Sequence, residues 1–519
     1  AVLFVVQRME SLSHTFVFLG LWLYLHGRRR QRADQSGWAW ILAGLLPCTL
    51  LGLLAKESAV LLPAYAFCLE FCLFRFLVGH RRDAGLIMFY GLVLFLPALT
   101  GVAWLLPKFL APDAFATRNF TLLERLLTEP RVLLEYLHWT LLPDLSQLSL
   151  YHDDFLPSRD LWTPPSTFFS LIVLALLFTV ACLARDRRPL LTLGLLWFFA
   201  AHLLTATFIP LELVFEHRNY FASLGICLVL ADLLLFAPRL VYHPRIGRLV
   251  AAVFVLFCAG NTFLRASEWN SPVRFAMTEA AKHPQSARAT YDLGRVLVVL
   301  SNYRPESPFT TEAFQALEKA RRVPGGNILA DQAALILEAR SGSPTRDVWW
   351  QDMQSILRRR PLGPQPIAAL GSLTHCAVEK RCNFPQRQMF KSFEAALSHG
   401  PNPEVLNIYG DYVLNVQGDP ESALRMWQHA SDLQPEEVQY RRNLSKLLIV
   451  LGRYDDARAQ LQQLARIGRF GQNEAVAKEL AVMLAEHERH APGVKPDAHR
   501  SSSRSKSSTP APEVGDPHD

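Results

Sequence analysis

The chain has 519 residues, of which 50% are hydrophobic and 19% charged, and its formal net charge is +7. The apolar residues are concentrated before about residue 266, in runs long enough to cross about 30 Å of hydrocarbon. The arginines of this half lie in short segments between the apolar runs, which is typical of membrane proteins. Composition therefore argues against nucleic acid binding and predicts a multi-pass membrane protein with an attached soluble helical part.

Eight apolar runs have the length of a membrane-spanning helix, which takes roughly 17–25 residues. They are residues 9–25, 37–54, 59–76, 84–106, 165–184, 190–209, 220–236 and 248–264. Basic clusters occupy residues 26–32, 75–82, 184–188 and 238–248. All four clusters share one side of the membrane only if the short apolar stretch 132–142 does not cross it, so we predict an interfacial or re-entrant helix there.

This topology places several polar segments together on the opposite, non-cytoplasmic side. They are Lys56 and Glu57, the long segment 107–164, residues 216–218, and everything after residue 266. Lys56 and Glu57 form either a polar turn, with Glu57 stabilising the next helix through its dipole, or a charged site facing an anionic lipid-linked substrate. In a bacterium this side of the membrane is the periplasm.

The segment 117–164 contains side chains that suit a phosphate or a metal ion. Arg118, Arg125 and Arg131 have guanidinium groups that match phosphate oxygens, although an amphipathic interfacial helix also carries such arginines. His152, Asp153 and Asp154 offer an imidazole and two carboxylates, which suit magnesium or manganese. The alternative is an ordinary acidic loop, because adjacent residues rarely converge on one ion.

A second charged group, Glu216, His217 and Arg218, stands before Tyr220 at the mouth of an apolar run. An acid or base role is chemically open to Glu216 and His217, whereas Arg218 suits a substrate phosphate. For Glu216, a structural ion pair with Arg218 is the alternative. Ionisable groups at the edge of a membrane-buried segment are usually paired, solvated or functional.

The second half of the chain contains helical repeats. Residues recur 34 positions apart at Leu414 and Leu448, Gly418 and Gly452, and Ala423 and Ala457, and Trp427, Ala430 and Pro435 follow tetratricopeptide offsets. The pattern predicts repeats over residues 404–470, a looser copy from residue 287, degenerate helices between 327 and 398, and a closing helix over 474–490. Such arrays mostly bind other proteins on a concave face, and a rigid cap over the membrane helices is the alternative.

Cys376 and Cys382 are the two cysteines of the soluble half. An oxidising compartment would permit a disulfide between them, and they supply too few ligands for structural zinc. The predicted domains are therefore residues 1–265 in the membrane, 266–402 as degenerate repeats, 403–490 as tetratricopeptide repeats with the closing helix, and 491–519 as a disordered tail.

The stretches LLAKESAVLLP, RNFTLLERLLTEPRVL, LYHDDFLPS and PLELVFEHRNYFASLG resemble bacterial multi-pass proteins with C-terminal tetratricopeptide repeats. These in turn resemble the transmembrane-and-tetratricopeptide O-mannosyltransferases of the C-type glycosyltransferase superfold. The resemblance implies a polyprenyl-phosphate sugar donor and a site lined or supported by Lys56, Glu57, Arg125, His152, Asp153, Asp154, Glu216, His217 and Arg218. It also implies a catalytic acidic residue upstream of Ala1, so no catalytic base is assigned here, and Thr205 stands where relatives carry Glu.

The sequence thus predicts an all-α protein, with about eight transmembrane helices followed by a tetratricopeptide-like α-solenoid. We predict a glycosyltransferase that moves a sugar from the lipid-linked donor to an acceptor hydroxyl, with Arg118 and Tyr220 among its substrate contacts. Whether a magnesium or manganese ion takes part is left open. The alternative is a non-catalytic membrane scaffold for envelope assembly. The expected partners are membrane lipids and a protein bound by the repeats, and the expected location is a bacterial inner membrane with the repeats in the periplasm.

Overall fold

The computed structural model describes residues 7–78, 81–111, 113–236, 244–323, 326, 328–467 and 473–490. In these residues the regular structure is almost entirely helical, apart from a small antiparallel pairing of β1 (Leu77–Val78) with β2 (Arg81–Arg82). The chain forms two compact units, Ala1–Gly400 and Pro401–Asp519. The all-α prediction is confirmed, and the predicted disordered tail, 491–519, lies outside the described residues.

The first part of unit 1 is a bundle of apolar helices. They are α1 (Arg8–Arg32), α2 (Trp38–Ala55), α3 (Leu62–Leu69), α4 (Ala84–Tyr90), α5 (Leu96–Phe109), α6 (Leu122–Leu141), α7 (Ser166–Ala184), α8 (Pro189–His202), α9 (Asn219–Ala231) and α10 (Pro244–Glu268). Short 3-10 segments at Glu57–Leu61 and Glu216–Arg218 lead into α3 and α9, and π-helical turns follow α3, α4 and α9 at Glu70–Phe74, Gly91–Phe95 and Asp232–Phe236.

Among the described residues, six helical stretches are long and apolar enough to cross a membrane, judged by length and composition. They are Trp38–Ala55, Glu57–Phe74, Ala84–Phe109, Ser166–Ala184, Glu216–Phe236 and Arg245–Glu268. The last of these exposes large apolar side chains such as Val255, Leu256 and Phe263. Exposed apolar surface of this extent is typical of contact with lipid rather than water.

Glycines let two pairs of helices approach closely. A methyl group on Gly20 of α1 would lie 2.7 Å from the carbonyl oxygen of Gly44 on α2. A methyl group on Gly194 of α8 would lie 2.3 Å from the carbonyl oxygen of Gly225 on α9. Small residues at such crossings bring the backbones together, which is the usual way in which apolar helices associate in a membrane.

The first three basic clusters meet at one end of the bundle. The guanidinium of Arg28 binds both carboxylate oxygens of Glu70 at 2.8 Å, and both side chains are fully buried. Arg75 pairs with Asp186 at 3.0 Å, and Arg185 donates to the carbonyl of Phe71 at 3.0 Å. Most of the fourth cluster, residues 238–243, lies outside the described residues. The other three are therefore neighbours in space, as their common side of the membrane predicts.

Two predicted boundaries differ from the structure. Helix α6 begins at Leu122, before the predicted 132–142, because Thr121 and Glu124 form a capping box in which each side chain accepts a hydrogen bond from the other's backbone N–H. Helix α8 ends at His202 rather than at residue 209. Beyond His202 the chain is no longer helical, and the carbonyls of Thr205 and Thr207 there bind a buried arginine, Arg125.

The remaining helices of unit 1 follow the apolar bundle and pack against one another. They are α11 (Pro272–Lys282), α12 (Ala287–Ser301), α13 (Pro308–Arg322), α14 (Ile328–Arg340), α15 (Asp347–Arg359), α16 (Pro364–Val378) and α17 (Gln386–Leu397). Gly294 of α12 leaves room for Leu317 of α13, whose side chain would lie 2.7 Å from an added methyl group. The looser repeat from residue 287 is therefore a true helix pair.

Unit 2 contains α18 (Pro403–Tyr412), α19 (Pro420–Leu433), α20 (Val438–Val450), α21 (Tyr454–Arg466) and α22 (Glu474–His490), with a π-helical turn at Val413–Gln417. Trp427 fills the space above Gly410 and donates to the carbonyl of Asn407 at 3.1 Å. Gly418 and Gly452, one period apart, both have positive φ, of 71° and 74°. This left-handed conformation ends the first helix of each repeat and favours glycine.

Candidate functional site

Most of the predicted site residues lie together at the end of the bundle opposite the clusters of Arg28 and Arg75. Lys56, before the 3-10 segment that leads into α3, reaches Glu10 at the start of α1, with 2.7 Å between Nζ and Oε2. Glu216, in the 3-10 segment that leads into α9, accepts a hydrogen bond from the backbone N–H of Ser149 at 2.6 Å. The termini and loops that the topology assigns to one side of the membrane are thus in contact.

Arg125 is fully buried and binds the irregular segment 203–215. Its guanidinium donates to the carbonyls of Thr205, Thr207 and Leu211 at 2.6, 2.8 and 2.8 Å. Glu129, one turn further along α6, lies 2.8 Å away and is also buried. Burial raises the pKa of Glu129 to about 7, although the positive charge of Arg125 opposes that change. Arg125 therefore holds the segment that precedes α9, which gives it a positioning role in this structure.

The membrane-end cluster consists of Glu10, His14, Lys56, His217 and Tyr220. The Nδ1 atom of His14 lies 2.7 Å from the carbonyl oxygen of Glu10, and its ring stacks on Phe221 with 3.9 Å between centroids. The Nε2 atom of His14 and the Nδ1 atom of His217 are buried without a hydrogen-bond partner. Lys56 binds Glu10 and not its neighbour Glu57, which is exposed. The cluster therefore contains an ion pair and two imidazole nitrogens able to accept or donate a further hydrogen bond.

The arginine cluster consists of Arg118, Arg218 and Arg288, grouped around Glu212. Arg288, on α12, lies 2.8 Å from the Glu212 carboxylate, and Arg218 donates to the carbonyl of Glu212 at 2.5 Å. Arg118 donates to the carbonyl of Pro210 at 2.9 Å. Burial lowers the pKa of Arg118, Glu212 partly offsets this, and the charges of Arg288 and Arg218 lower it further. Arg288 thus pairs with the Glu212 carboxylate, and Arg118 and Arg218 bind backbone carbonyls beside it.

His152, Asp153 and Asp154 point to three different partners. Asp153 accepts hydrogen bonds from the Ser286 hydroxyl and from the backbone N–H of Arg288. Asp154 lies 2.9 Å from Nδ1 of His283, whereas the nearest carboxylate to His152 is that of Glu216, at 3.8 Å. Within the described residues, no group of three or more His, Cys, Asp and Glu side chains is arranged to hold a metal ion. As arranged here, these three residues do not fit a magnesium or manganese ion.

The loop that contains these residues is fixed to α11 by a buried network. Glu279 of α11 is fully buried and accepts hydrogen bonds from the Ser149 hydroxyl and the Leu150 backbone N–H, both at 2.6 Å. It also pairs with Arg265 of α10 at 2.8 Å. Lys282 adds a bond to the carbonyl of Leu148 at 3.1 Å. We call this contact, between residues 148–154 and α10–α12, the joint.

The pKa values of two groups in the joint move in opposite directions. Burial alone would lower the pKa of His283, but its hydrogen bond to Asp154 and the charge of that carboxylate outweigh burial and raise it. Burial alone would raise the pKa of Asp154, but the bond to His283 and its charge lower it. Each group therefore favours the charged form of the other, and the pair stabilises the joint when both are ionised.

Polar side chains form a row across helices α18, α20 and α22 of unit 2, which we call the polar row. The side-chain amide of Asn443 on α20 donates to that of Asn407 on α18 at 3.0 Å. Arg442 and Lys446, also on α20, lie 3.4 and 3.8 Å from Glu479 of α22. All five side chains are polar, and those of Arg442, Lys446 and Glu479 are at least a third exposed. The row contains both hydrogen-bond donors and hydrogen-bond acceptors.

Several residues of these clusters were not identified from the sequence: Glu10, His14, Glu212, Glu279 and Arg288. Glu10 and His14 stand one helical turn apart in the first apolar run, which was a usable signal of a polar face. Glu212 and Arg288 carry no local signal, because each acquires its role from a partner far away in the chain. Cys376 and Cys382 are joined by a disulfide in the structure.

Comparisons with known proteins identify the repeats. A family model described as tetratricopeptide repeat matches residues 416–472, which confirms the repeat prediction for that region. No curated protein matches the chain. Among solved structures, the crystal structure of yeast Tom70 is similar with a TM-score of 0.30 and 13% identity, over 93% of this chain and 90% of that one. At this TM-score the likeness adds nothing to the fold described above.

Proposed function

We propose that the chain is a membrane-anchored repeat protein whose C-terminal tetratricopeptide unit binds a protein partner. The family match over residues 416–472 is the observation that carries this proposal, because tetratricopeptide arrays generally use the surface of their stacked helices to bind other chains. Six helices long and apolar enough to cross a membrane precede the repeats and support the anchoring role.

The polar row of unit 2 is the surface we propose for the partner. It runs over α18 and α20, the first helices of two successive pairs, and over the closing helix α22, through Asn407, Asn443 and Glu479. Its amide and charged groups recognise the backbone and polar side chains of an extended segment, and its mixed charge favours specificity over tight nonspecific attachment.

Site-specific photo-crosslinking of the full-length protein in its native membrane tests this proposal. A photoreactive residue replaces Lys446 on α20, and the matched control replaces Arg425, which is exposed on α19, the second helix of its pair. We expect a discrete crosslinked species from position 446 that is absent at position 425. Equal labelling at both positions, or labelling at neither, would count against a partner on this surface.

We propose sugar transfer from a polyprenyl-phosphate donor as a second function, carried by the membrane-end cluster. An acceptor hydroxyl would attack the anomeric carbon of the sugar, and the phosphate of the lipid would leave. The Glu10–Lys56 ion pair and the open imidazole nitrogens of His14 and His217 supply charge and proton-transfer groups at the edge of the apolar bundle. Ionisable groups at the edge of a membrane carry a desolvation cost unless they pair with a ligand or with one another.

Transfer of a radiolabelled sugar from polyprenyl-phosphate donors by the full-length protein tests the second function. We expect His217→Gln to reduce transfer by about 10²-fold if the imidazole moves a proton, with unchanged expression and thermal stability. His202→Gln is the matched control, because His202 is also buried with an unpartnered Nε2 atom but stacks on Tyr136 within the bundle. Absence of transfer over a range of donors and acceptors, by a correctly folded protein, would reject this function.

A further inference from the structure

The arginine cluster has more positive charge than its surroundings neutralise. Arg288 pairs with the carboxylate of Glu212, whose charge also acts on Arg118. Arg218 binds only the backbone carbonyl of Glu212. The neighbouring Arg125 pairs with a carboxyl group of its own, that of Glu129, at 2.8 Å. Asp153 contacts Arg288 only through the backbone N–H of that residue. Partly buried like charges disfavour one another, so an unbalanced group of three guanidiniums is a favourable place for an anion.

The guanidiniums also retain unused donors. A guanidinium has five N–H donors in a planar fork, and such forks match the oxygens of a phosphate. The hydrogen bonds of Arg118 and Arg218 to the carbonyls of Pro210 and Glu212 fix each side chain by one nitrogen. About a third of the side chain is exposed in both Glu212 and Arg288, so the cluster is open to a ligand.

We propose that Arg118, Arg218 and Arg288 bind a phosphate-bearing anion, whose place beside Arg288 is taken by the Glu212 carboxylate in the anion-free protein. Arg288 belongs to α12, so the first solenoid helices complete a site whose other residues lie in the loops of the apolar bundle. This deepens the proposal of sugar transfer, and rests on it only for the expectation that the phosphate is attached to a lipid.

Binding measurements on three variants of the full-length protein in nanodiscs test the inference. The probes are inorganic phosphate, followed by thermal stabilisation, and polyprenyl phosphate, followed by native mass spectrometry. We expect Arg288→Gln to weaken binding about tenfold, since it removes one charge-assisted contact. We expect Glu212→Gln to strengthen binding severalfold, because it removes the internal competitor while keeping the backbone carbonyl that Arg218 binds. Arg295→Gln is the control, because Arg295 lies on the same helix but pairs with Asp292.

Opposite effects of Glu212→Gln and Arg288→Gln, with Arg295→Gln unchanged, support the inference. If inorganic phosphate and polyprenyl phosphate compete, the site recognises the phosphate group itself. If polyprenyl phosphate binds and inorganic phosphate does not, the site recognises the lipid-linked form. Equal loss in Arg288→Gln and Arg295→Gln, weaker binding by Glu212→Gln, or no binding of either probe would overturn it. Binding by a protein that transfers no sugar leaves this site standing and counts against the transferase proposal.

Discussion

Asp331, on α14, gives the sharpest test of the electrostatic reasoning. Its side chain is fully buried, and neither carboxylate oxygen has a hydrogen-bond partner. Burial is the main reason that its pKa rises from 3.8 to about 8, Asp352 and Glu318 raise it further, and Arg321 opposes them. Because Arg321 already pairs with Glu318 and Asp352, its charge is shared among three carboxylates.

The raised pKa means that ionisation of Asp331 favours the unfolded chain. The destabilisation of the folded state by this ionisation is absent below about pH 4. It grows as the pH rises from 3.8 and reaches its full value near pH 8. At pH 7 the difference between the two pKa values corresponds to up to about 4 kcal/mol, at about 1.4 kcal/mol for each unit of pH above 3.8. Asp331→Asn cannot ionise, so it should stabilise α14 and α15 by up to that amount at pH 7.

Hydrogen exchange of peptides from α14 and α15, in the detergent-solubilised full chain with increasing urea, measures the local free energy of opening. We expect the stabilisation by Asp331→Asn to be larger at pH 8 than at pH 5. Asp347→Asn is the matched control, because Asp347 is exposed at the start of α15 and should give a small change that is the same at both pH values. Destabilisation by Asp331→Asn at pH 8, or equal effects at pH 5 and pH 8, would refute the reasoning.

Three further predictions concern packing and the joint. Gly194→Ala should destabilise the α8–α9 crossing by about 1–3 kcal/mol, seen as a lower thermal midpoint in detergent, because the methyl group meets the carbonyl of Gly225. Glu279→Gln should increase proteolysis of residues 142–165, since it removes the buried negative charge that pairs with Arg265 and replaces one of the two acceptor oxygens with an NH2 group; unchanged cleavage would contradict this. The His283–Asp154 pair should protect that loop best between about pH 3.8 and 6.5, where both groups are ionised. The contribution of His283 is lost as the pH rises through its raised pKa, and that of Asp154 as the pH falls through its lowered pKa. The rate of proteolysis, measured across this range and beyond both ends of it, tests the prediction.

The general fold could be predicted because its signals are local. Runs of apolar residues mark helices one by one, and the recurrence of Gly418 at Gly452 and of Ala423 at Ala457 marks the repeat. The start of α6 was missed because the prediction used the apolar run alone. The capping box of Thr121 and Glu124, eleven and eight residues before the predicted start, is a sequence signal that would have corrected it.

The site could be located but not assembled from the sequence. Charged residues at the ends of apolar runs indicate where polar clusters lie, but their partners are distant in the chain. Lys56 is adjacent to Glu57 yet binds Glu10, and Ser149 binds Glu279, 130 residues away. Pairing over such separations depends on how helices pack, which no local pattern encodes. Residue type alone also does not reveal what a side chain binds, because Arg125 binds backbone carbonyls whereas Arg288 pairs with a carboxylate.

The contacts of Asp153 bear on how the arginine cluster and the joint influence each other. Asp153 accepts hydrogen bonds from the Ser286 hydroxyl and from the backbone N–H of Arg288, at the start of α12. The same Ser286 hydroxyl accepts from the N–H of Ala289 and so caps that helix. A ligand that displaces Glu212 from Arg288 acts on a side chain whose own backbone is fixed by the loop. Asp153 therefore ties the loop to the start of α12, next to the Arg288 side chain that pairs with Glu212.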